Sequence, residues 1–90
     1  MNSKLESLTE LLQSTCDFGV SENKKLINAR LDQLLARFDV YRDTVSAMAL
    51  HDPQGAQTLL ENIIAIEAGL RQFAEEVIRQ NTAKIRNILL

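Results

Sequence analysis

The sequence predicts an all-α chain: an antiparallel hairpin of long helices with a short N-terminal helix, a coiled-coil-like three-helix bundle forming one domain over residues 1–90. Three observations predict it. Apolar residues recur at alternating spacings of three and four along most of the chain, which is the period of a helix face. The apolar residues are mainly Leu, Ile, Val and Ala, with aromatics at 4% and no Trp, a composition that packs helix on helix. One Pro and three Gly in 90 residues leave too few turns for a succession of short strands.

The first helix is expected at about residues 4–16. Ser3-Lys4-Leu5-Glu6 has the S-x-x-E pattern of a capping box, in which hydroxyl and carboxylate each satisfy an orphaned backbone N–H. Leu5, Leu8, Leu11, Leu12 and Thr15 then line one face. Asp17-Phe18-Gly19-Val20 brings a turn former and a glycine suited to a C-terminal cap, and Ser21 offers the next N-cap.

The second helix is expected at 22–50. Ile27, Leu31, Leu34, Phe38, Tyr41, Val45 and Met48 alternate four and three without a break, the pattern of a coiled-coil seam. The stripe of Leu5, Leu8 and Leu12 is out of phase with this seam. That slip supports a break around Gly19; one continuous kinked helix is the alternative.

Asp52-Pro53 marks the next boundary. Proline disfavours helical geometry at the residue before it and suits the first helical position, so Asp52 reads as N-cap and Pro53 as N1. The connection is tight, and the helices flanking it must run antiparallel. The third helix is expected at 53–89 with the seam Ala56, Leu59, Ile63, Ile66, Leu70, Phe73 and Val77. Leu60, Ile64, Ala74 and Ile78 widen that stripe, as in a helix packed against more than one neighbour. Past Val77 the apolar residues shift to Ile78, Ile85, Ile88 and Leu89, a stutter with Asn81 inside it.

Helix lengths then locate an association surface. At about 1.5 Å per residue the third helix reaches about 55 Å and the second about 40 Å. The third therefore overhangs, with the first helix lying at the same end. Ile85, Ile88 and Leu89, together with Leu5, Leu8 and Leu12, are the expected partner-binding residues. The occupant is expected to be a protein partner or a second copy, a dimer being favoured.

Little in the chain points to chemistry. Cys16 and His51 lie in different predicted turns, too far apart for a nucleophile pair. No C-x-x-C or H-x-x-x-H spacing offers a metal site, and no glycine-rich loop offers a phosphate cradle. Glu67/Arg71 and Glu75/Arg79 fall at i,i+4, the spacing of solvated helix pairs. The expectation is a non-enzymatic protein with no cofactor and no metal. Cys16 alone cannot form an internal disulfide and reads as a small buried hydrophobe.

A net charge of −2, from ten basic and twelve acidic residues, exerts no overall pull towards nucleic acid or anionic membrane. Lys24, Lys25, Arg30, Arg79, Lys84 and Arg86 do gather at one end of an antiparallel bundle. Glu22, Asp32, Glu75 and Glu76 share that end without an aromatic for base stacking, which argues against RNA. No apolar run approaches the roughly 18 residues of a membrane span, and the N-terminus lacks a signal-peptide stretch. No membrane partner is expected, and a cytoplasmic location is.

Two stretches carry a family likeness. Leu31-Asp-Gln-Leu-Leu-Ala-Arg-Phe-Asp-Val-Tyr-Arg42, and Ile63-Ile-Ala-Ile-Glu-Ala-Gly-Leu70 running on to Leu89, resemble the two long helices of small flagellar and type III secretion export chaperones of the FliT-like and FlgN-like kind. The likeness covers about two-thirds of the chain. It rests on helix order, the short connector and an Ile-x-x-Ile-Glu-x-x-Leu rhythm. It implies a chaperone that holds a helical export substrate in a hydrophobic groove.

Overall fold

A computed structural model describes residues 2–90. Two helices account for nearly all of it: α1, Asn2–Met48, and α2, Pro53–Leu89. Among the described residues there is no strand. The molecule is a hairpin rod, 77 × 16 × 12 Å along its principal axes.

The reversal at Asp52-Pro53 forms as the sequence predicts. α1 unwinds through hydrogen bonds from the Leu50 and His51 amides to the carbonyls of Ala47 and Met48. Asp52 leaves helical geometry at φ −143° and ψ 80°, as a residue before proline prefers. Its carboxylate accepts a hydrogen bond from the Gly55 amide at 3.0 Å, capping α2.

The cross-strand contacts descend α1 as they climb α2. Val45 packs with Ala56 and Ile63 next to the turn, Arg42 pairs with Glu67, Asn81 donates to Asn23 at 3.0 Å, and Ile85 lies against Gly19. This is the expected antiparallel hairpin.

The predicted break between helices 4–16 and 22–50 is absent. Asn2 already belongs to α1, so Ser3 sits inside the helix and does not cap it. Gly19 keeps an ordinary helical backbone with negative φ. A Cβ added there would lie 3.5 Å from Ile85 Cγ2, so the glycine is an inward-facing contact point of a continuous helix. The slip of phase is absorbed within the continuous helix: Leu5, Leu12, Cys16 and Asn23 stand at intervals of seven, four and seven, and two successive steps of four, Asn23 to Ile27 to Leu31, join them to the seam. Cys16 is fully buried on it.

Continuity inverts the expected overhang. α1 is the longer helix, and α2 ends level with about residue 15. Residues 2–13 therefore project as a single helical arm about 18 Å long. Leu89 and Ile85 are half-buried against α1 instead of projecting beyond it.

Five of the seven seam residues predicted on α1, and four of the seven on α2, face the partner helix. On α1, Ile27, Leu31, Phe38, Val45 and Met48 turn inward, but Leu34 and Tyr41 remain 42% and 60% exposed. On α2, Ala56, Ile63, Leu70 and Val77 turn inward, whereas Leu59, Ile66 and Phe73 are 41%, 51% and 67% exposed. Leu60, Glu67 and Ala74 take their places. Beyond Val77 the stutter holds: Ile78, Asn81, Ile85 and Leu89 continue the inward line.

Two features fix this rotation. Ala56 and Ala74 are buried, and their small side chains let the helix backbones approach. Glu67 is buried too and forms an ion pair with Arg42 of α1, which also reaches Asp39 at 3.5 Å. The expected solvated pair of Glu67 with Arg71 is thus replaced by a bond between helices. Arg79 likewise pairs with Glu76 and not with Glu75.

Candidate functional site

A two-helix hairpin has two broad faces, one on each side of the line where its helices touch. Here they differ in kind. One is closed by the Arg42–Glu67 ion pair, with Leu35 and Leu60 half-buried near it. The other stays open and apolar.

The open face is a groove in two stretches. Ile27, Leu31, Leu34, Leu70, Phe73 and Val77 line the one nearer the arm, with Arg30 at its rim. Phe38, Tyr41, Val45, Leu59 and Ile63 line the one nearer the turn. From Ile27 to Val45 the groove runs about 27 Å, five turns of helix.

Helix periodicity assembles this surface. Leu34 and Tyr41 are seven apart on α1, and Leu59, Ile66 and Phe73 repeat every seven on α2. Each set stands one step round its helix from the inward residues, so the two sets flank one furrow. The chain has three Phe and one Tyr, and all but Phe18 lie here. The rings of Phe38 and Tyr41 meet tilted by 53° with centroids 6.0 Å apart, a favourable aromatic arrangement that holds both side chains in place.

Gly69 belongs to the same face, three residues after Ile66 and four before Phe73. A Cβ added to it meets nothing within 4 Å. A mid-helix glycine costs about 1 kcal/mol relative to alanine, and no packing within this chain calls for one here.

The partner-binding residues predicted from sequence are not brought together. Leu5, Leu8 and Leu12 lie on the arm, 66%, 52% and 37% exposed. Ile85 is half-buried opposite Gly19, about 20 Å along the axis from Leu5. Leu89 is half-buried, and only Ile88 of the C-terminal set is open to solvent, at 80%. The groove residues were legible in the sequence, but as core. The signal that separates them is the width of the α2 stripe, which serves two neighbours where the hairpin supplies one.

His51 is exposed in the turn, and Cys16 is buried near the other end of the hairpin. Among the described residues no cluster of three or more His, Cys, Asp or Glu is placed to hold a metal ion. Among the described residues no helix is long and apolar enough to cross a membrane. Asn23 Nδ2 is buried without a hydrogen-bond partner, although its Oδ1 accepts from Asn81. Comparison with protein-family models, with curated proteins and with solved structures finds no match to this chain.

Proposed function

We propose that this chain is a non-enzymatic helical protein-binding module that holds an amphipathic helix against the open face of its hairpin. The observation that carries the reading is the groove itself: two apolar stretches in line over five turns of helix, holding three of the four aromatics. Exposed apolar surface of that extent marks an association site, and aromatic anchors concentrate binding energy in such sites. A helix laid in the furrow would meet side chains spaced by seven on either wall, the register in which helices recognise one another.

An export chaperone of the cytoplasm, keeping a secretion or flagellar substrate helix soluble, is the form of this function that the likeness of the two helices implies. Helix order, the short connector and the mildly acidic balance support it.

A labelled amphipathic peptide with leucines at heptad spacing tests the binding reading by fluorescence anisotropy. Saturable binding is expected, abolished by Tyr41→Glu and left intact by Ile64→Glu on the opposite side of α2. Equal loss in both variants, or no binding by the parent at concentrations where its groove is unoccupied and it is monomeric, would sink it.

A further inference from the structure

We infer that the occupant of the open face is a second copy of this chain, joined face to face about a two-fold axis parallel to the rod. Both turns then lie at the same end of a four-helix bundle. The inference rests on the groove being a helix-binding site and names its partner.

Surface area makes the first argument. The chain exposes 7127 Å², whereas a compact monomer of 10.1 kDa exposes about 5,300 Å². The excess, about 1,800 Å² per chain, is of the size that obligate homodimers bury. What is buried within the hairpin is correspondingly slight: Cys16, Val45, Ala56, Ile63 and Ala74, with one carboxylate, Glu67.

The two walls of the groove also complement each other. A two-fold axis parallel to the rod lays α1 of one copy over α2 of the other at the same height. Arg42 stands opposite Glu67 within the chain, so Tyr41 of one copy reaches the level of Ile66 and Gly69 in the second. The exposed Tyr41 ring can lie over Gly69, where no side chain stands in its way. At the same rim, Arg30 of α1 comes level with Glu76 of α2. The opposed orientation would set α1 on α1 and bring Arg30 and Arg37 of each copy towards those of the other.

The arms complete the arrangement. With both turns at one end, both arms project at the other, where α2 has ended in each copy. Leu5, Leu8 and Leu12 of the two arms can then close on each other along the bundle axis. The α2 stripe gains the second neighbour that its width requires.

Sedimentation equilibrium on the full chain is the first measurement, run from about 1 to 100 µM. The expected mass is twice 10.1 kDa. Ile66→Glu/Phe73→Glu should raise the dissociation constant by at least tenfold, and Ile64→Glu should leave it unchanged. Both groove residues are more than half exposed in the hairpin, so the double variant should keep its helical circular dichroism. If it does not, Tyr41→Glu on the other wall reads the same surface.

A nitroxide at Gln54→Cys in a Cys16→Ala background then reports orientation. Labels within about 25 Å place the turns together, while about 55 Å or more sets them at opposite ends. A monomeric parent, a dimer indifferent to the groove variants, an open-ended oligomer or widely separated labels would each overturn the inference. If the parent is monomeric and still binds the amphipathic peptide, the second copy is refuted and the binding function stands. If it does neither, both fail.

Discussion

At the scale of single residues, the least anticipated feature is the buried carboxylate of Glu67. Among the described residues its partner across the helices is Arg42, whose side chain keeps 39% of its surface in solvent. The two ends of this pair are therefore unequal. Removing Arg42 strands a charge in the interface, whereas removing Glu67 leaves an arginine that still has Asp39 and water. Arg42→Ala should cost about 2–4 kcal/mol, the range for breaking a buried pair with some allowance for partial exposure. Glu67→Leu should be neutral or stabilising, since apolar residues of similar volume replace buried ions well. Urea denaturation of the two variants checks the asymmetry, and equal losses would place Glu67 in solvent. The turn offers a second such test. A Cβ on Gly55 would run into the Asp52 carboxylate and stand 3.0 Å from Met48 Cε. Gly55→Ala should therefore destabilise by displacing the cap, which contributes about 1 kcal/mol. In an Asp52→Ala background the same change should stabilise through helix propensity. Additivity in that thermal double-mutant cycle would mean that the cap is not made in solution.

At the scale of elements, the sequence specified the Asp52 turn, the antiparallel hairpin and the late stutter of α2, because each rests on local chemistry. Proline at N1 and a carboxylate before it act within four residues, and periodicity acts within two turns of helix. What it left open was decided at long range. Leu59, Ile66 and Phe73 are as apolar as Leu60, Ile64 and Ile78, so the α2 stripe alone cannot say which edge meets α1. The choice fell to Glu67 and an arginine 25 residues away. Gly19 misled for the same reason: a glycine after Asp17-Phe18 has the local look of a helix end, and only the arrival of Ile85 from α2 reveals it as a contact point. The two readings of Gly19 predict opposite signs. As a C-terminal cap it would need left-handed backbone, and Gly19→Ala would destabilise. In the continuous α1 the added methyl meets Ile85 at ordinary van der Waals distance, so Gly19→Ala should stabilise by about 0.5–1 kcal/mol. The shift in urea midpoint reads the sign directly.

At the scale of the whole molecule, the balance of surface and core sets how the protein unfolds. A hairpin that buries one cysteine, one valine, one isoleucine, two alanines and a paired glutamate gains little against the conformational entropy of 90 residues. Apolar area supplies most folding energy at about 25 cal/mol per Å², and the largest uncovered store of it lies along the open face and the arm. If a second copy covers that store, association adds to the stability of the folded hairpin, and the melting temperature must depend on protein concentration. Each tenfold rise in concentration adds about 1.4 kcal/mol to the folded dimer, which for a bundle of this size raises the midpoint by about 3–5 °C. Circular dichroism melts at three concentrations a decade apart should show that slope. Ile66→Glu/Phe73→Glu should flatten it and lower the midpoint at every concentration, because the groove wall it alters supplies the missing core. A flat dependence in the parent, with a midpoint matching the double variant, would mean that the slender hairpin stands on its own.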